Sequence, residues 1–114
     1  MIKESRRARQ ESRGSCDAAA VVAERLAYWS MLAGDQDRRV TSTVPGGPLL
    51  AALPQPALVT CVDALLANVF AHTPKTTAFE VRLTPRPQGG AVLEVSETVT
   101  PAARAVASFG HPAP

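Results

Sequence analysis

Aromatic residues are scarce in this chain, which has one Trp, one Tyr and three Phe among its 114 residues. Apolar residues still make up 46% of the sequence, so a hydrophobic core can form, but it must consist mainly of Ala, Val and Leu. These side chains each bury little area, and a chain of this length forms a single domain of small stability. We therefore expect one small domain with a thin core.

The chain also has little excess of positive over negative charge, because its net charge is only +2. That excess is too small to indicate a nucleic-acid or membrane-surface partner. Much of it lies in the basic leader, residues 1–15, which is typical of a solvated tail or helix end. No apolar signal segment or run of membrane-spanning length is present. These absences predict a cytoplasmic protein with no membrane segment and no nucleic-acid partner; a weaker alternative makes the Arg-rich leader a nucleic-acid arm.

The two cysteines, Cys16 and Cys61, do not have the spacing of metal ligands. Cys16 falls in a predicted loop and Cys61 in a predicted helix. Two reduced thiols are the expected state for such a pair in an intracellular protein.

The first half of the chain contains signals for two helices and two short strands. Asp17 is a suitable N-cap for a helix that ends at about Ala33, and Gly34 follows it. Alternation of polar and β-branched residues predicts a strand over 39–44, and a short buried strand is expected within 49–53. Pro56 is well placed in the first turn of a second helix that ends at about His72.

The second half begins with an antiparallel hairpin. Residues 77–84 alternate apolar and polar side chains, the sequence PRPQGG forms a turn, and AVLEV follows as the second strand. From residue 96 to 114 the pattern dissolves, which predicts an irregular tail. The order helix, strand, helix, strand, strand predicts an α/β chain, specifically an α+β two-layer sandwich with two helices on a mixed or antiparallel sheet of about three strands.

One polar pair stands out on the second helix. Asn68 is the only asparagine in the chain, and it lies in an otherwise apolar helix together with His72, four residues later. Both side chains project from one helix face. An amide oxygen suits Mg²⁺, and His72 with Lys75 in the next loop offers donors to an anion. On spacing alone, such residues near a helix end more often cap carbonyl groups or face solvent.

The segment LLANVFAHTPKTTAFEVRL resembles the N-box of the sensor histidine kinase ATP-binding domain, whose Bergerat-type fold is shared with gyrase-type and heat-shock-type ATPases. The resemblance covers residues 16–95. It implies Mg-ATP as the cofactor, Asn68 as the metal ligand and His72 in the nucleotide pocket. Lys75 could reach a phosphate as a point charge. The implied partners are a kinase dimerisation domain or a response regulator, and a full-length relative would be membrane-anchored.

The sequence also departs from this family. After AVLEV the family has Asp-x-Gly-x-Gly, whereas this chain has SETVTP, in which Glu97 stands near the place of the adenine-binding carboxylate. Val99 occupies a glycine position, where a β-branched side chain disfavours the required backbone. Thr76 replaces the usual glycine after the N-box, which makes that turn stiffer. The glycine-rich lid and the phosphoacceptor histidine are missing.

These departures predict a truncated and inactive ATP-binding domain of a two-component sensor histidine kinase, with the leader 1–15 as a remnant of the dimerisation helix. The alternative is a small non-catalytic interaction module. Its incomplete sandwich would expose a sheet edge, and it would dock on a kinase or form a homodimer.

Overall fold

The computed structural model of this protein describes residues 14–98 and 104–112. Within them the chain forms two 18-residue helices, which we name α1 (Ala18–Asp35) and α2 (Gln55–His72). The strands are β1 (Cys16–Asp17), β2 (Val40–Thr43), β3 (Leu50–Ala51), β4 (Phe79–Pro85), β5 (Ala91–Glu97) and β6 (Arg104–Phe109). Apart from its last two residues, the basic leader lies outside the described residues.

The strands form a four-stranded sheet in the order β2-β4-β5-β6 and a separate two-stranded pair, β1-β3. β2 runs parallel to β4, and the β4-β5 and β5-β6 pairs are antiparallel. The predicted α+β class with two helices and a mixed sheet is thus confirmed, although the main sheet has four strands rather than about three. In the described residues, neither helix has the length and apolarity that a bilayer span requires.

α1 begins where its capping residue predicts. One carboxylate oxygen of Asp17 accepts from the backbone N–H of Ala19 at 3.1 Å, which satisfies an otherwise unpaired donor of the first turn. The same oxygen accepts from the N–H of Leu49 at 3.0 Å, so the cap also ties the loop before β3 to the helix. α1 extends to Asp35, two residues beyond the predicted end. Cys16 belongs to β1 and is buried, whereas a loop was predicted there.

Residues at its two ends determine where α2 begins and where it stops. Pro56 occupies the first turn, where its missing N–H costs nothing, and the helix ends at His72 as predicted. The backbone N–H and the hydroxyl of Thr73 both donate to the carbonyl of Val69, which closes the last turn. Pro74 then prevents the helix from continuing.

The core lies between the helices and one face of the main sheet. Alternate residues of β4 and β5 point into it, and one stripe of each helix meets them. The largest fully buried side chains are Phe79, Leu58, Leu66, Leu83, Leu93, Val22, Val62, Val81 and Val95. Phe70 connects the aromatic residues, because its ring centre lies 5.2 Å from that of Trp29 and 5.7 Å from that of Phe79. Trp29 is therefore packed against the core.

The prediction of an irregular tail over 96–114 is wrong for two segments: β5 extends to Glu97, and residues 104–109 form β6. β6 pairs with β5 in a register that sets Leu93 opposite Ala107. Alanine has a low intrinsic preference for strands. The strand therefore depends on pairing with β5, which no local pattern reveals.

Candidate functional site

A shallow open cleft of about 220 Å³ lies between the C-terminal half of α2 and the strands β5 and β6. Its lining residues are Leu65, Asn68, Val69, His72, Thr73, Val95, Glu97, Arg104 and Ala105. Apolar side chains form the floor of the cleft, and the polar side chains lie at its margin. Of the helix-facing residues of β6, Ala105 lines the cleft, and its side chain is a methyl group. This small side chain leaves the sheet margin uncovered next to the helix.

Three of the sequence-predicted site residues line this cleft together: Asn68, His72 and Glu97. The first two are exposed and lie one helical turn apart, as their spacing requires. Glu97 ends β5 and follows the buried Val95 by two residues, so it shares the helix-facing side of the strand. The cleft thus combines an amide, an imidazole and a half-buried carboxylate.

Lys75, the fourth predicted residue, is placed differently. It is exposed in the loop that follows α2 and is not among the residues that line the cleft. The point-charge contact with a phosphate stays a prediction for this residue.

Arg104 borders the cleft and was missed at the sequence level, because it was assigned to the irregular tail. Its backbone pairs with Ser96, which turns its side chain toward the opposite face of the sheet. There its Nη1 lies 2.9 Å from an oxygen of Glu94. No local signal could have found this residue, since its position depends on the β5-β6 register.

A buried arginine, Arg38, holds the end of α2 that borders the cleft. It is only 5% exposed and lies in the loop between α1 and β2. Nη1 donates to the hydroxyl of Thr73 at 2.8 Å, and Nη2 donates to the carbonyl of Thr73 at 3.1 Å. Further bonds reach the side-chain oxygen of Gln36 at 2.6 Å and the carbonyl of Thr77 at 3.2 Å.

All four oxygens that Arg38 contacts in the described structure are neutral. Its guanidinium carbon also lies 4.6 Å from the ring centre of Phe70, a cation–π distance. Burial lowers the pKa of Arg38, but a guanidinium stays protonated in proteins. A positive charge next to the C-terminus of α2 is favourable because the helix dipole is negative there. Arg38 therefore fixes the helix turn that carries His72.

The loop after α2 contains a strained residue. Thr76 has φ +75°, in the left-handed region that a β-branched side chain disfavours. Its N–H donates to the carbonyl of Gln36 at 3.0 Å. Asp37, which follows Gln36 in the loop after α1, also has positive φ, +54°. This is the position at which the family resemblance expects glycine, and its backbone has a conformation that favours glycine although the residue is threonine.

Asp63, which precedes the site on α2, has a structural role. Arg25 donates to it through Nε at 2.8 Å and Nη2 at 3.1 Å, and the indole N–H of Trp29 donates at 2.9 Å. Burial by itself raises the pKa of Asp63, but the hydrogen bonds from Trp29 and Arg25 and the Arg25 charge together lower it overall. The carboxylate thus links α2 to α1 and is not directed at the cleft.

The two cysteines are thiols, as the sequence predicts. Burial raises the pKa of the Cys61 thiol, which disfavours the reactive thiolate.

The cleft can supply few ligands to a metal ion. Within 14–98 and 104–112 no three His, Cys, Asp or Glu side chains cluster as a metal site. The hard oxygen donors around the cleft include the amide of Asn68 and the carboxylate of Glu97, whereas the hydroxyl of Thr73 is already bonded to Arg38 and Val69. Mg²⁺ commonly takes one or two protein oxygens and completes its shell with water and phosphate oxygens. The donors fit a magnesium ion that arrives with a phosphate ligand, and do not form a cage for the bare ion.

A scan against family models finds no match to this chain. A search of curated proteins likewise finds no similar sequence.

Proposed function

We propose that this protein is an adenine-nucleotide-binding domain of the sensor histidine kinase type that does not itself phosphorylate histidine. The proposal is carried by one observation. Asn68 and His72, which the N-box resemblance assigned to a nucleotide site, line a common cleft with Glu97, which stands near the place of the family's adenine-binding carboxylate and is 29 residues from Asn68 in the sequence. A chance resemblance in the helix gives no reason for a carboxylate to lie opposite it.

The cleft residues have complementary roles in this proposal. Glu97 accepts a hydrogen bond from the exocyclic amino group of adenine, and the apolar floor around Val69 and Val95 contacts the face of the ring. Asn68 supplies one neutral oxygen to the Mg²⁺ that accompanies the phosphates. His72 donates to a phosphate or ribose oxygen from the end of α2.

The size of the cleft favours weak binding. At about 220 Å³ it is smaller than the roughly 300–1,000 Å³ typical of ligand pockets, so it has room for the base and not for a whole nucleotide. A base of about ten heavy atoms at about 0.4 kcal/mol per atom gives about 4 kcal/mol, which corresponds to a Kd near 1 mM.

The histidine content supports binding without phosphoryl transfer to the chain itself. Its only histidines are His72, at the cleft, and His111. His72, the last residue of α2, is proposed as a nucleotide contact, and His111 follows β6, so neither has the role of an in-line acceptor of the γ-phosphoryl group in this proposal. We expect no radiolabel on the protein after incubation with γ-labelled ATP.

Thermal melting with nucleotide tests the proposal. At a tenfold excess over Kd, linkage predicts about 1.4 kcal/mol of added stability, or several degrees in Tm for a domain of this size. We expect Mg-ATP and Mg-ADP to raise Tm, Mg-GTP to raise it less, and Mg-tripolyphosphate at equal ionic strength to leave it unchanged.

Variants separate the roles of the cleft residues. Asn68→Ala should reduce the response to Mg-ATP, and Glu97→Gln should remove the preference for ATP over GTP. Gln88→Ala, which deletes an exposed carboxamide in the β4-β5 turn, is the matched control and should respond like the wild type. An equal Tm shift with ATP, GTP and tripolyphosphate, or no shift at all, would contradict a nucleotide site.

A further inference from the structure

One edge of the main sheet is formed by β6, a six-residue strand. Within the described ranges it has β5 on one side and no strand on the other. The backbone groups of an edge strand alternate in direction, so every second residue presents its N–H and C=O outward. Such a row of unpaired groups is a template for a further strand.

The residues of β6 do little to protect this edge. Proteins usually block an exposed edge with lysine, proline, a bulge or an inward-pointing charge. The sequence RAVASF has one charge, Arg104, at its first position and no lysine or proline. Val106, in the middle of the strand, is 53% exposed, which is high for a β-branched apolar side chain. The opposite edge strand, β2, is shorter and consists mainly of Thr and Ser.

The outer face of the sheet favours a partner that joins in the plane of the sheet. A chain of ion pairs crosses this face: Arg82 lies 3.3 Å from Glu80 and 3.9 Å from Glu94, and Glu94 lies 2.9 Å from Arg104. A layer packed on this face would have to bury these charges, at a large desolvation cost. A strand added beside β6 leaves them in water.

We propose that the partner is a second copy of this chain, whose β6 pairs antiparallel with the first β6 around a two-fold axis at Val106. Directly opposed residues must lie on the same face of the sheet, and this register satisfies that condition. It sets Val106 opposite its own copy, Arg104 opposite Ser108 and Ala105 opposite Ala107. The result is one continuous eight-stranded sheet across two molecules.

The composition of β6 suits pairing with itself. The valine pair at the axis joins two β-branched side chains, a favourable cross-strand combination. Each arginine faces a serine, so no like charges are opposed. The small Ala105 and Ala107 let the two backbones approach without clashes on the helix-facing side. The dimer needs no nucleotide, so its test is independent of the function proposed above.

Cysteine cross-linking tests the register. The Cα atoms of an antiparallel pair lie about 4.5–5.5 Å apart, within the range of a disulfide. Val106→Cys should therefore form a covalent dimer under mild oxidation, beyond any background from the native cysteines. Ser108→Cys is the matched control on the same strand, because two copies of residue 108 would be roughly 14 Å apart. Thr41→Cys, on the exposed opposite edge, is a second control.

Sedimentation velocity over a range of concentrations tests the interface without cross-linking. The wild type should dimerise as concentration rises, and Val106→Lys should weaken dimerisation by about tenfold, because it opposes two like charges at the axis. Thr41→Lys should sediment like the wild type, and circular dichroism should show all variants folded. A monomer at every concentration, or equal cross-linking of residues 106, 108 and 41, would overturn the proposal. Binding only to an added foreign strand peptide would do the same.

Discussion

At the residue scale, two side chains depart from the ordinary pattern of a small domain, and both adjoin the end of α2. Arg38 is a buried cation held by neutral oxygens, and Thr76 is a β-branched residue at positive φ. A buried charge is costly unless it is fully hydrogen-bonded, and left-handed backbone is costly for any residue with a branched Cβ. Both of these energetically unfavourable residues lie next to the helix turn that presents His72 to the cleft.

Arg38→Leu should lower the free energy of unfolding by about 2–4 kcal/mol, because it leaves several buried oxygens of the α2 terminus without donors. The measurement is urea unfolding followed by circular dichroism. Arg39→Leu removes a neighbouring exposed arginine and should change stability by less than about 0.5 kcal/mol. Equal losses in both variants would show that Arg38 does not act as a buried clamp.

Thr76→Gly should raise the free energy of unfolding by about 0.5–1 kcal/mol. Relief of left-handed strain in a residue with a Cβ is worth about 1–2 kcal/mol, and the added chain entropy of glycine offsets part of it. The next residue provides the control: Thr77 is not among the residues with positive φ, so Thr77→Gly should be destabilising. A loss of stability in Thr76→Gly would mean that the side chain contributes more than the strain costs.

At the element scale, the two helices are joined by polar as well as apolar contacts. Asp63 of α2 accepts from Arg25 and Trp29 of α1, and the guanidinium carbon of Arg25 lies 4.7 Å from the ring centre of Tyr28. In a core of small aliphatic side chains, such a bidentate ion pair also fixes how one helix sits on the other.

This helix link should be sensitive to acid. The pKa of Asp63 is lower in the folded protein than in the unfolded chain, so its stabilisation is present above the unfolded value of about 3.9 and is lost as pH falls through the folded pKa. At pH 7, Asp63→Asn should cost about 1 kcal/mol.

Urea unfolding of the wild type and Asp63→Asn between pH 7 and pH 2.5 measures this dependence. The difference in stability should shrink as pH falls below about 4, where Asp63 of the unfolded chain becomes protonated, and should vanish once pH is below the lower pKa of the folded protein. If the stability difference between the wild type and Asp63→Asn stayed constant from pH 7 to pH 2.5, the ionised carboxylate could not be its source.

At the scale of the whole molecule, the end of β6 brings distant segments together. Gly90, in the β4-β5 turn, has φ +89° and packs so closely on β6 that a Cβ there would lie 2.0 Å from the carbonyl oxygen of Phe109. The carbonyl of Gly110 accepts from the N–H of Ala52 at 2.8 Å. The turn, the last strand and the segment after β3 therefore hold one another in place.

Gly90→Ala should destabilise the protein by more than about 2 kcal/mol, because the new methyl group meets backbone atoms and the φ angle is unfavourable for alanine. Gly47→Ala is the control, since a Cβ there has no atom within 4 Å. Hydrogen exchange should show the amides of β6 losing protection first. A Gly90→Ala protein as stable as the control would contradict this packing of β6.

The fold could be predicted from the sequence wherever a signal is local. Asp17 and Pro56 mark the starts of the helices, and alternation marks β4 and β5. β6 could not be predicted, because alanine has a low preference for strands and the strand depends on its pairing with β5. In the site, helical spacing puts Asn68 and His72 on one face, whereas only the β5-α2 packing brings Glu97 to them. Arg38 was missed because its principal contacts are 35 residues away along the chain.

The sequence by itself determined where the helices begin and end and which helix face presents the amide and the imidazole, because caps, prolines and periodicity act within a few residues. The tertiary structure alone decided that a carboxylate faces them across a cleft, that a buried arginine holds the helix end, and that a poorly protected strand forms the sheet edge. Each of these features depends on contacts between separate segments of the chain, which local preferences do not encode.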